Sequence, residues 1–97
     1  MDVRWTRRAR RQLDQHTDYI AQHNVKAAYD LLQRIRHDVD GLADNPLMGR
    51  EGRYLGTREL VIPPGRYIVV YRVRGQIVQI TSVHDGRRPW PATAADL

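Results

Sequence analysis

Cysteine is absent from the 97 residues. That excludes disulfides and thiolate sites, and it fits a cytoplasmic protein. No long apolar run exists. The longest is Tyr67 to Tyr71, far too short to cross a bilayer, so no membrane partner is expected. The basic N-terminal stretch "MDVRWTRRARRQ" is not followed by an apolar segment, so it does not read as a signal peptide. Serine occurs once, as Ser82, beside nothing that would activate it, which leaves no serine triad to argue for. The histidines at 16, 23, 37 and 84 show no paired-ligand spacing, and no glycine loop with an adjacent lysine cradles a phosphate. Neither a metal nor a cofactor is expected.

Lysine is nearly missing as well. Lys26 is the only one, so fifteen of the sixteen bases are arginine, against eleven acids, for a net charge of +5. Arginine offers a planar fork that pairs carboxylates and phosphates at two points. Two explanations stand side by side: an anionic partner, either nucleic acid or an acidic protein segment, or the amino-acid bias of a GC-rich genome.

What is present has the texture of one small domain over residues 1–97. Asp2 to Trp5 reads as a short strand, and Thr6 as a helix N-cap. Ala9, Leu13, Ile20 and Tyr19 form a helical stripe, with Arg7, Arg8, Arg10 and Arg11 around the first turns. These arginines are either a solvated face or a target-binding stripe. "QHN" interrupts the pattern at 22–24. A second stripe follows at Ala28, Leu31, Leu32, Ile35, Val39 and Leu42, with polar residues opposite. Two amphipathic helices with a short joint predict an αα-hairpin. "NPLMGREGRYLG" (45–56) reads as a loop. Strands are predicted over 57–62, 66–73 and 76–83, with turns at "PPG" and Gly75. The fold class is α+β, in the order β-α-α-β-β-β.

Alternation divides the middle strand into two faces. Tyr67, Val69, Tyr71 and Val73 carry no charge and should meet the helices. Ile68, Val70, Arg72 and Arg74 should form a partly open surface. On the last strand, Val78 and Ile80 suit the core, but Val83 has the opposite parity. A β-bulge, or the end of the strand near Ser82, accounts for this, and it would bring His84 out on the arginine-bearing side.

Several segments together resemble the RelE/ParE superfamily of bacterial type II toxin–antitoxin toxins. They are "WTRRARRQLDQHTDYIAQHN" with "AAYDLLQRI", the loop "NPLMGREGR", the strands "GTRELV" and "YIVVYRV", and the H..RR.WP pattern of "HDGRRPWP". The resemblance spans nearly the whole chain and rests on order and spacing rather than on one strict signature. It implies a small twisted antiparallel sheet with two helices on one face. It also implies two possible actions. RelE-like members cut mRNA in the ribosomal A site without metal. ParE-like members poison DNA gyrase. Both are held by an antitoxin, here expected to be acidic, in a hetero-oligomer.

Cleavage of RNA by its own 2′-hydroxyl needs a base, an acid and cations for the phosphorane. For a ribonuclease the candidates are His84, Arg72 and Arg58, with Glu51 or Glu59 as a second acid–base group. The resemblance also carries a departure. Ribonuclease members have an arginine where this chain has Ile68, whereas ParE-like members tend to be aliphatic there. Losing one such donor costs about 2.7–4 kcal/mol in a transition state, so the reading leans to the ParE-like branch. Arg72, Arg74, His84, Arg87, Arg88 and Trp90 are then the candidate target- or antitoxin-binding residues. For each a blander role stands beside it: His84 bonding Asp85 or a carbonyl, Arg87 and Arg88 as a solvated tail, Trp90 folding back on the sheet. A plain basic nucleic-acid-binding module is the weaker alternative.

Overall fold

The computed structural model describes residues 1–92 and Leu97. The elements run β1 (Asp2–Trp5), α1 (Arg7–Ala21), α2 (Val25–Asp40), a 3-10 turn (Gly41–Ala43), β2 (Arg50–Glu51), β3 (Arg58–Ile62), β4 (Tyr67–Arg74) and β5 (Ile77–Asp85). Both helices start on side-chain caps. The Thr6 hydroxyl accepts from the Ala9 amide at 3.1 Å, and the Asn24 side chain accepts from Ala27 at 3.0 Å. Each such cap contributes about 1 kcal/mol.

The sheet order is β1-β5-β4-β3-β2. Three pairings are antiparallel, as expected, but β1 lies parallel to β5. The sheet is therefore mixed, because the helical hairpin carries the chain back across one face before β5 is laid beside β1. The two-residue edge strand β2 falls inside the predicted loop. It is exposed on both residues, so no alternation marks it.

The core takes in most of the residues predicted for it and adds Leu60, Ile62 and Val83, to which no inward face was assigned. Ala9, Leu13, Ile35, Val39 and Leu42 meet Leu60, Ile62, Tyr67, Val69, Tyr71, Val78, Ile80 and Val83. Leu31, Leu32, Trp5 and Val73 pack around its margin. Tyr19 departs from the expected stripe: it is 61% exposed. The second face of β4 also differs, since Ile68 and Val70 are only 7% and 0% exposed. That face is open only at Arg72 and Arg74.

The parity change in β5 is a bulge. Tyr71 pairs with Ile80 and Val70 with Ser82, which leaves Thr81 as the extra residue. Val83 therefore turns inward opposite Val69, and His84 turns outward opposite Ile68. The strand does not end there but continues to Asp85. Beyond Ile80, β1 no longer borders β5, and α1 takes over that edge. Gln12 Oε1 accepts from the Ser82 hydroxyl at 3.0 Å and from the Val83 amide at 2.8 Å. One turn later, His16 Nε2 donates to the Val83 carbonyl at 2.9 Å. A buried strand edge without such partners would leave its amides unsatisfied.

Candidate functional site

Alternation and the bulge together place Ile68, Val70, Arg72 and His84 on the face away from the helices. The tail after β5 folds back onto this face. The Trp90 ring lies 4.3 Å from His84, and the Arg53 guanidinium sits 4.2 Å from its centroid. The Tyr54 hydroxyl donates to the Pro91 carbonyl. His84 Nε2 donates to the Arg88 carbonyl at 3.2 Å. Stacking and cation–π contact of this kind are each worth roughly 0.5–1.5 kcal/mol. Trp90 and His84 thus form an ordered aromatic patch with Arg53, a residue the sequence did not single out. The signal was faint, because one arginine in a glycine-rich loop has no periodicity to place it.

The other candidates scatter. Arg72 lies opposite Gln79, with its guanidinium so near Gly56 that an added Cβ there would sit 3.1 Å from Nη1. It stands four residues along β4 from Ile68, roughly 13 Å of strand, with Val70 between them. Arg74 is exposed at the far end of β4. Arg58 does not join this face. It pairs with Tyr71 on the helix side, and its Nη1 donates to the Gly49 carbonyl at 2.8 Å. Glu59 is on the right face but is committed. It is 4% exposed, its Oε1 accepts from Arg50 Nε and Nη2 at 3.1 and 2.9 Å, and its Oε2 accepts from the Arg53 amide at 2.7 Å. Glu59 holds the loop that carries Arg53. Glu51 lies on β2 at the sheet edge, opposite Arg58.

The Arg87 and Arg88 side chains turn away from the His84 side, although the Arg88 carbonyl stays on it. The turn after β5 closes with the Arg88 amide on the Asp85 carbonyl at 2.9 Å. Asp85 pairs across to Tyr67, on the helix-facing side. It takes Arg87 Nε and Nη2 at 3.2 and 3.0 Å, plus the Arg87 amide at 3.0 Å. The Arg87 side-chain hydrogen bonds hold the Asp85 carboxyl down at about 2, from 3.8, against the opposing effect of burial. A depressed carboxyl stabilises the fold above its unfolded value, and that contribution is lost as pH falls through the folded one. Arg87 is largely solvated, which limits the gain to about 1–2 kcal/mol. Between pH 4 and 2 the wild-type chain should therefore lose about that much more stability than Asp85→Asn. Denaturant melts of both proteins across that window check this. A difference between them that does not change with pH would refute it.

The ParE toxin family of type II toxin–antitoxin systems matches residues 3–90. The chain is 40% identical to a proposed toxin designated Y4kP from Sinorhizobium fredii, over 92% of each chain. It is 33% identical to Toxin RelE2 from Caulobacter vibrioides, over 89% of this chain and 96% of that one. Among solved structures, a chain of the chromosomal ParDE toxin–antitoxin system from P. aeruginosa superposes with a TM-score of 0.78 at 27% identity. It covers 88% of this chain and 95% of its own. With the mixed sheet, the helical hairpin on one face and the folded-back tail, these matches place the chain in the ParE family of the RelE/ParE superfamily: it is the toxin of a type II toxin–antitoxin pair, and its partner is an antitoxin.

Proposed function

We propose that this toxin acts by gripping a protein target, DNA gyrase, rather than by cutting RNA. The observation that supports this best is the residue opposite His84. It is Ile68, an aliphatic side chain where phosphorane chemistry needs a cation. The surrounding groups are already engaged: Glu59 by Arg50 and the Arg53 amide, Arg58 by the loop carbonyls, and His84 by Trp90 and the Arg88 carbonyl. An aromatic and arginine patch is instead well suited to a protein interface, where tryptophan and arginine dominate binding energy. In the resting complex an acidic antitoxin would neutralise the exposed arginines, consistent with the +5 charge.

Ribosome-dependent mRNA cleavage is the second reading. It is favoured by the RelE2 relative and by His84 and Arg72 sharing a face. His84→Phe separates the two. Phenylalanine keeps a ring against Trp90 but cannot move a proton. On the gyrase reading, toxicity on induction stays within a few-fold of wild type. As a general acid or base, His84 would contribute about 10²–10⁴-fold. A loss of that size, with protein synthesis stopping before DNA replication, would establish the nuclease instead.

A further inference from the structure

A cleft of about 280 Å³ opens on the helix side of the sheet, where α1, the start of β4 and the turn after β5 converge. It is separate from the His84–Trp90 patch, and what it binds does not depend on which target the toxin poisons. Three guanidiniums line it, from Arg66, Arg87 and Arg88, against one carboxylate, Asp85. Asp85 is already engaged, with both oxygens taken by Arg87 and Oδ2 also 4.0 Å from Nε of the exposed Arg88. Arg66 is held over the Tyr67 ring, 5.3 Å from its centroid. Its Nε is buried and has no hydrogen-bond partner among the described residues. A buried donor left unpaired is rare in a folded protein, so the protein's own groups do not fully satisfy the Arg66 side chain. The rings of His16, Tyr67 and Tyr19 complete the wall. His16 is fixed by the Val83 carbonyl and lies 5.0 Å from Tyr67. Tyr19, the residue that left the predicted core stripe, is 61% exposed at the mouth.

We infer that this cleft binds the phosphate of a nucleotide unit, with Arg66 and Arg88 as its charged donors and the exposed Tyr19 ring as a platform for the base. The donor set favours phosphate over carboxylate. A carboxylate presents two oxygens in one plane and suits a single fork, as Asp85 suits Arg87, whereas a phosphate presents tetrahedrally placed oxygens to guanidiniums converging from different sides. An exposed aromatic ring beside such donors suits a base, because every base has a face to stack. The volume lies at the small end for ligand sites, roughly 300–1,000 Å³, which suits one nucleotide rather than a helix or an extended peptide.

The test follows amide resonances of the full chain during titration with inorganic phosphate, 5′-AMP and adenosine. Phosphate and AMP should shift His16, Tyr67 and Arg88 saturably, and adenosine should not. Arg66→Gln should weaken AMP binding about tenfold or more, the usual size for a lost charge-assisted bond. Tyr19→Ala should weaken AMP but leave inorganic phosphate unchanged. If Arg66→Gln fails to fold, Arg88→Gln, at an exposed side chain, carries the same expectation. Oligonucleotides with and without a 5′-phosphate then distinguish the source. Preference for the phosphorylated form assigns a strand end or free nucleotide, and equal binding assigns backbone phosphates. Well-folded protein that shows no saturable shift with phosphate or AMP overturns the inference. So does a glutamate-rich peptide that binds here more tightly than AMP in an Arg66-dependent way, because the cleft would then serve a protein partner.

Discussion

Gly49→Ala is expected to destabilise the toxin by about 3–5 kcal/mol, more than most surface-loop changes. A Cβ at Gly49 would lie 2.6 Å from the Tyr71 hydroxyl, 2.7 Å from its ring and 2.9 Å from the Glu59 carbonyl. None of these can retreat. Tyr71 is fully buried, and its hydroxyl accepts from the Gly49 amide at 2.9 Å while donating to the Pro46 carbonyl at 2.8 Å. Burial pushes the phenol's pKa up, which keeps that donor in place. The substitution adds steric strain of about 1–3 kcal/mol and breaks a buried hydrogen-bond pair worth a similar amount. A loss near 4 kcal/mol lowers Tm by roughly 15–30 °C in a domain of this size. Tyr71→Phe should show the milder part, about 1–3 kcal/mol, because the ring remains and only the hydroxyl goes. Thermal melts of the three proteins give the order. A Gly49→Ala protein that melts within a few degrees of wild type would mean the loop does not approach Tyr71 this closely.

The second large effect is expected at Trp90. On the proposed reading, Trp90→Ala weakens the toxin–target complex about 30-fold or more, the scale of a tryptophan hot spot. The indole does two things at once. It offers its own surface for docking, and through His84 and Arg53 it holds the tail down on the sheet. Without it, the tail keeps the Tyr54–Pro91 and His84–Arg88 hydrogen bonds but loses its main apolar anchor. Trypsin should then cut after Arg87 faster than in wild type, Arg88 being protected by Pro89, while the melting of the core changes little. The affinity for gyrase, or the inducer dose needed to stop growth, measures the functional part. Unchanged affinity in a protein with a loosened tail would remove Trp90 from the interface.

Much of this architecture was legible because periodicity is a local property of the chain. The stripe from Ala28 to Leu42, the Thr6 cap and the two faces of β4 each follow from a repeat of 3.6 or 2, and the structure keeps them. Even the bulge at Thr81 was visible, as a parity error between Ile80 and Val83. The departures share a different cause. Tyr19 falls on the stripe by spacing but sits at the rim of a cleft, because whether a stripe residue is covered depends on what lies opposite it. Ile68 and Val70 share a face with two arginines, yet they are buried. Alternation specifies a side of the sheet and is silent on whether anything packs there.

The candidate site was legible in composition and not in arrangement. "HDGRRPWP" put a histidine, two arginines and a tryptophan within eight residues, and the sequence offered them as one patch. The turn at Asp85 splits them, with His84 and Trp90 on one side of the sheet and Arg87 and Arg88 on the other. Gly49 makes the same point. In sequence a loop glycine suggests conformational freedom, yet its φ is not positive, and it is required for space against a tyrosine 22 residues away. By itself the sequence determined the resemblance to the family, and its periodicity determined both helices, four of the five strands and most inward residues, since periodicity follows from neighbours along the chain. Only the tertiary structure decided which charges meet. It joined Arg53 to Trp90, Gln12 and His16 to Val83, and Arg66 to the Asp85 turn, because such pairings depend on distances that register and helix docking set between residues far apart in sequence.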